Sequence, residues 1–328
     1  MFFCRSLELW PLNYHLLKRK SYRKEFAFKM QHTVKEHYVP QFYLRNFADE
    51  KGLLHMYDFK RNKYFTQSPN NICYENNLYE TKWENANPKL GEFVLPNHIE
   101  KTFCKYEGEF SKVLTTILHI CSPSQNPNAL ILHGNERNMF FRFIVNMIVR
   151  NPENMEALAL NKLEPDDTDN DEIKQIRTML DDMGFGGADS ICLATKKKAM
   201  LTDEFENSFT QVCLEALKRL NYTFFYARTN SFITSNIPVC VGNDPAIIES
   251  DRTCIYLALS PKLAVLFGNY KNSHNFKNRM VYIEEKQVEN FNRILIKHND
   301  NKRILIGNSD ATIKKYIEAV RSNHNGKL

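Results

Sequence analysis

The eleven residues from His37 to Phe47, His-Tyr-Val-Pro-Gln-Phe-Tyr-Leu-Arg-Asn-Phe, constrain this chain more than any other stretch. Five aromatic or imidazole rings stand there beside one proline, one glutamine and one arginine. A solvated loop does not concentrate rings in this way. The segment reads as a buried anchor whose polar groups must find partners, because a buried donor or acceptor left unpaired is costly. Gln41 and Arg45 follow His37 at intervals of four. A helix starting near Pro40 therefore places them on one face, with His37 just ahead of it.

With 328 residues, 43% hydrophobic and 25% charged, the chain suits one large domain or two modest ones. The net charge of +6 suggests a nucleic-acid partner until it is located. Residues 1–30 carry seven basic and two acidic side chains, so the remainder is close to neutral. That segment has its charges in the wrong order for a signal peptide. It reads as a basic extension, with Met30 as an alternative start. No window approaches the roughly 20 apolar residues of a membrane span. The eight cysteines form no Cys-x-x-Cys pair and lie in apolar surroundings, as reduced thiols do, which implies a cytoplasmic protein. No His or Cys pair has zinc spacing, and 11 glycines leave little for a phosphate loop, so neither metal nor cofactor is expected.

Hydrophobic periodicity predicts the elements. Residues 53–59 and 64–66 flank the polar turn 60–63 as a hairpin, and short extended pieces follow at 72–74 and 77–79. Ile99, Phe103, Tyr106, Phe110, Leu114, Ile117 and Ile120 step by three and four along a long helix capped by Asn97. A second helix spans 135–150, and a third spans 202–220 with Thr202 as cap. Residues 164–172 are acidic, so 163–190 reads as a flexible insertion. Strands follow at 222–227, 231–234, 254–259, 263–267, 280–283 and 303–306, with helices at 287–296 and 310–321. The expected class is α+β: a central helical core, with small antiparallel sheets built from the N- and C-terminal segments, in a single domain over 31–325.

On the second helix Asn138, Arg142, Asn146 and Arg150 repeat every four residues as one polar stripe, either solvated or lining a cleft. His37, Gln41 and Arg45 are the candidate catalytic groups, with His37 as general acid/base. Arg142, Asn146, Arg150, Thr234, Ser235 and Asn236 are the candidate binding groups, the arginines suiting phosphate. An arginine in apolar surroundings needs a carboxylate, which Glu100 or Glu107 can supply. The hairpin tip, Tyr57, Tyr64 and Phe65 with Lys60, Arg61 and Lys63, is an alternative aromatic and basic surface for nucleic acid.

Three segments together resemble a known family: His37 to Phe47; Phe143 to Pro152, ending in Arg150-Asn151-Pro152; and Phe232-Ile233-Thr234-Ser235-Asn236-Ile237-Pro238-Val239 followed by Leu257-Ala258-Leu259-Ser260-Pro261. The resemblance is to the mostly bacterial domain-of-unknown-function 4238 family, over about His37 to Ile306. Asn236 stands where that family tends to have aspartate, and Ala258 where it tends to have proline. An asparagine still accepts a hydrogen bond but carries no charge or proton. The family brings no established activity; its bacterial setting implies a role in conflict or phage defence. The expected function is therefore a nucleic-acid- or nucleotide-directed protein with a hydrolytic His/Arg site. The alternative is an interaction module in which the same network is structural. Convergence of His37, Arg45 and Arg150 on one pocket favours the first; arginines sealed by glutamates favour the second.

Overall fold

The computed structural model describes residues 32–87, 91–121, 132–163, 171–182, 187–203, 208–228, 232–242, 254–268, 279–298 and 303–325. The basic segment 1–30 and most of the acidic stretch 164–172 lie outside them. The strands, in chain order, are β1 (Lys35–His37), β2 (Leu54–Asp58), β3 (Lys63–Gln67), β4 (Tyr74–Asn76), β5 (Lys82–Asn87), β6 (Gly91–Phe93), β7 (Asn221–Ala227), β8 (Thr234–Ser235), β9 (Cys240–Gly242), β10 (Cys254–Ser260), β11 (Leu263–Gly268), β12 (Arg279–Ile283) and β13 (Ile304–Gly307). The helices are α1 (Gln41–Leu44), α2 (His98–Ile120), α3 (Gly134–Val149), α4 (Pro152–Ala157), α5 (Asp171–Asp182), α6 (Ala188–Leu201), α7 (Phe209–Lys218), α8 (Glu285–His298) and α9 (Asp310–Asn325). The class is α+β. Among the described residues no helix is long and apolar enough to cross a membrane.

Where the sequence suggests one domain over 31–325, the residues cluster into two compact units. The first draws on Met1–Glu36, Asn76–Phe103 and Pro152–Val212, the second on His37–Glu75, Cys104–Asn151 and Cys213–Leu328.

The second unit is built on a five-stranded sheet of order β12-β7-β11-β10-β9, antiparallel except for the parallel β12–β7 pair. Successive side chains of a strand point to opposite faces. Phe224 of β7 meets Phe140 of α3 with ring centroids 5.8 Å apart, and Phe225 meets Phe291 of α8 at 5.1 Å. Helices thus cover both faces, which is why β11, Leu-Ala-Val-Leu-Phe-Gly, is buried at every position. A four-stranded sheet of order β3-β2-β13-β8 adds the predicted hairpin to strands from the C-terminal third. Arg45–Phe47 continues α1 as a 3₁₀ turn, and Tyr43, Leu44 and Phe47 are fully buried.

The first unit departs from the sequence expectations. Within the supposed insertion, Asp171–Asp182 is helical and α6 begins at Ala188. Thr202 does not start a helix: it ends α6, its hydroxyl donating to the Lys198 carbonyl at 2.8 Å. The next helix starts at Phe209, and Ser208 Oγ accepts from Gln211 N at 3.2 Å as its cap. Asn97 does stand at the head of α2, its carbonyl accepting from Lys101 N. Its side-chain oxygen serves Thr33 N at 2.8 Å, and its backbone is left-handed at φ 59°.

Candidate functional site

The second unit holds nearly all the side chains singled out by the sequence. α1 starts directly after Pro40, whose fixed φ suits a helix start. This sets Gln41 and Arg45 in line behind His37. Gln41 Nε2 donates to His37 Nδ1 at 3.5 Å, and Arg45 Nη2 donates to Gln41 Oε1 at 3.1 Å. His37 Nε2 also meets the Asn70 carbonyl at 3.3 Å, and its ring packs against Tyr74 at 5.5 Å. The three candidate catalytic residues therefore form one hydrogen-bonded row, half-buried at His37 and exposed at Arg45.

Arg150 is not part of an open site. Its residue is 0% exposed. Nη1 donates to Glu107 Oε1 at 2.8 Å and to Asn146 Oδ1 at 3.2 Å, and Nη2 donates to the His37 carbonyl. The predicted carboxylate partner is thus Glu107, and it pairs with Arg150 rather than Arg45. Glu100 belongs to the first unit. The polar stripe of α3 runs from solvent inward: Asn138 is exposed, Arg142 half-buried over the Tyr106 ring at 5.5 Å, and Asn146 and Arg150 buried.

Thr234, Ser235 and Asn236 bind other parts of the fold rather than line a cleft. Tyr43 OH donates to the Ala258 carbonyl at 2.7 Å and accepts from Thr234 Oγ1 at 2.7 Å. Burial holds the Tyr43 hydroxyl far above its ordinary value, so it stays protonated. Ser235 Oγ donates to the Ile237 carbonyl at 2.7 Å, and Asn236 Oδ1 accepts from Ile304 N at 3.0 Å. An aspartate would accept that last bond equally well. At the hairpin, Tyr57 is buried while Tyr64 and Phe65 are half-buried, and Lys60, Arg61 and Lys63 are exposed.

A cluster that the sequence reading missed lies in the first unit. Glu36, 0% exposed, receives Tyr79 N on Oε2 at 2.8 Å. Its Oε1 is buried and meets no N–H or hydroxyl among the described residues. Glu80, 9% exposed, receives Asn97 N on Oε1 at 2.7 Å and is hydrogen-bonded to the Glu36 carboxyl. Burial, with the Glu80 and Glu100 carboxylates nearby, pushes Glu36 up to about 8, and burial also raises Glu80. Lys197 is buried too, its Nζ donating to the Glu80 carbonyl at 2.9 Å, and burial holds it down to about 8 despite both glutamates. Beside Glu80 a small cleft is lined by Thr81, Val94, Leu95, His98, Ile99 and Lys198. Lys196 and Lys197 stand in a run of three lysines, a pattern that reads as a solvated surface; nothing local announces that two of them turn inward.

Among the described residues no group of three His, Cys, Asp or Glu side chains is placed to hold a metal ion. Neither the curated proteins nor the solved structures include a match to this chain. A family model described as a protein of unknown function (DUF4238) matches residues 35–311, most of the chain, and the protein therefore belongs to the DUF4238 family.

Proposed function

We propose that the second unit binds a phosphate-bearing ligand, a nucleotide or single-stranded nucleic acid, through the Arg45–Gln41–His37 row and the Tyr74 ring. The observation that carries this reading is the exposed guanidinium of Arg45, which has no carboxylate partner among the described residues. A guanidinium oriented by a glutamine keeps donors for a phosphate, which it engages in a planar, two-pronged way. The adjoining His37 and Tyr74 rings offer faces on which a base stacks. The arrangement supports binding rather than hydrolysis at His37, because the second arginine of the expected site, Arg150, is committed to Glu107.

Fluorescence anisotropy with short single-stranded RNA and DNA, at several salt concentrations, tests this. Arg45→Ala is expected to weaken binding about tenfold and to lower the salt slope by about one. Equal affinity of wild type and variant, or no binding at low salt, refutes the reading. A second reading, an interaction module whose His/Arg network is structural, draws support from the closed Arg150 contacts. No nucleic-acid binding by the wild-type protein, together with a loss of stability in Arg45→Ala, would favour it.

A further inference from the structure

His55 takes no part in the binding proposed for the Arg45 row, yet both of its ring nitrogens are engaged. Nδ1 lies 2.9 Å from Asp310 Oδ1, at the start of α9, and Nε2 lies 3.0 Å from Asp49 Oδ2, in the turn ahead of β2. We propose that this Asp49–His55–Asp310 bridge is a proton-operated latch. It fastens the first turn of α9 to β2 when the imidazole carries two protons and releases Asp310 when it carries one.

The geometry supplies the argument. A carboxylate accepts hydrogen bonds and does not donate them, so a ring with a carboxylate on each nitrogen needs a proton on each. A neutral imidazole has only one. The surroundings decide which contact survives. Asp49 is pinned: its Oδ1 accepts from Lys51 N and from Leu53 N, both at 2.9 Å, and its side chain is 23% exposed. The Asp310 side chain is 53% exposed and can turn into water. The remaining proton therefore stays on Nε2, toward Asp49. Nδ1 then presents a lone pair to the Asp310 carboxylate and repels it.

The groups facing the ring set the direction of the response. Strand pairing places Thr66 and Gly307 opposite His55, and neither titrates. On α9, Lys314 lies over the Tyr64 ring at 5.8 Å. Asp310 and Asp49 are the charged groups that act on the imidazole. Partial burial opposes its charge, but the two carboxylates outweigh burial and keep it protonated above its ordinary range. The latch thus closes as pH falls and opens as pH rises.

What opens is the docking of the turn, not the helix. Ser309 Oγ accepts from Thr312 N at 3.2 Å and the Ser309 carbonyl from Ile313 N at 3.3 Å, and neither bond involves the imidazole. Further along, Ile313 packs directly on the backbone of β13: a Cβ placed on Gly307 would stand 3.0 Å from its Cδ1. Loosening is therefore confined to the residues ahead of Ile313. The Asp49 side stays closed, so the 3₁₀ turn at Arg45–Phe47, which Asp49 follows, keeps its place in both states.

The test uses the full-length protein, with 15N in its histidine rings and 13C in its threonine methyls, followed by NMR from pH 5.5 to pH 9; His55→Gln assigns the His55 signals. Wild type is expected to have both His55 ring nitrogens protonated at pH 5.5 and only Nε2 protonated at pH 9. The Thr312 methyl, in the first turn of α9, is expected to shift with the same midpoint. Asp310→Asn keeps an acceptor for the charged ring and offers an amide donor to the neutral one, so it holds the turn in either state. In that variant His55 is expected to titrate at lower pH while the Thr312 methyl stays in place. A proton on Nδ1 at pH 9, a Thr312 methyl that does not follow the ring in wild type, or one that follows it equally in Asp310→Asn would each overturn the proposal.

Discussion

The two units handle buried charge in contrasting ways. In the second, Arg150 is enclosed, and its guanidinium donates to the Glu107 carboxylate and to two neutral acceptors, Asn146 Oδ1 and the His37 carbonyl. In the first, two carboxyls hold a proton between them and Lys197 titrates near the same pH, at about 8. A guanidinium stays charged across the accessible range, so the Arg150 arrangement is a permanent clamp that ties α3 to the head of the anchor segment. The Glu36–Glu80–Lys197 arrangement changes state with pH. The lesson is that burial alone does not mark a site. What separates a permanent clamp from a switchable one is whether the buried groups change protonation within the accessible pH range.

The sharpest way to break this contrast is to remove one carboxylate from each unit. Glu107→Ala leaves Arg150 buried without its counter-charge and is expected to destabilise the protein by about 3 kcal/mol in urea unfolding at neutral pH. Glu36→Gln replaces a carboxyl that is already protonated in the fold, so it is expected to change stability little at pH 4.5 and below and to raise it at neutral pH, where only the unfolded carboxyl ionises. If the two variants lose equal stability, the distinction fails. Tyr43→Phe comes next: it removes the donor to Ala258 O and the acceptor for Thr234, and a loss of about 1–3 kcal/mol is expected in the same measurement.

A pH series sharpens the comparison further. The folded value of Glu36, about 8, lies above its ordinary 4.5, so its contribution to stability is full below pH 4.5 and is lost as pH rises through 8. Lys197 is held below its ordinary 10.5, so its contribution is present above pH 10.5 and lost as pH falls through 8. Unfolding midpoints of wild type should therefore decline between pH 4.5 and 8, and Glu36→Gln should flatten that decline; parallel curves refute the assignment. The smallest effect is expected at His55, whose ring lies 3.0 Å from Asp49 Oδ2 and 2.9 Å from Asp310 Oδ1. Partial burial opposes its charge, but the Asp310 and Asp49 carboxylates prevail and raise it. Its contribution is full below pH 6.5 and fades as pH rises through the raised value, so His55→Gln should lower the midpoint at pH 5.5 and leave it unchanged at pH 9.

The second unit was largely legible in the sequence. Its strands β7, β10 and β11 are nearly continuous buried runs, and the anchor predicted from its rings does bury Tyr43, Leu44 and Phe47. The row of His37, Gln41 and Arg45 followed from spacing alone. Whether Arg150 was open or closed did not, because its partner Glu107 lies 43 residues away and Glu100 was an equal candidate. The first unit was poorly legible because its signals are non-local. An acidic stretch reads as a loop until tertiary contacts support a helix at Asp171–Asp182. Thr202 looks like a cap in isolation, although Ser208 is the residue that serves. Glu36 and Glu80 are unremarkable as glutamates, and only packing that excludes water from both makes them a pair.

The strand order β3-β2-β13-β8 has a consequence for biosynthesis. The hairpin β2–β3 emerges from the ribosome early, yet one edge of β2 stays open until residues 304–307 arrive to fill it. A nascent chain of this protein therefore exposes a hydrogen-bonding edge while the intervening residues, about 250 of them, are added. Closure of that sheet joins segments far apart in the chain, slow by its topology and dependent on shielding from neighbouring chains.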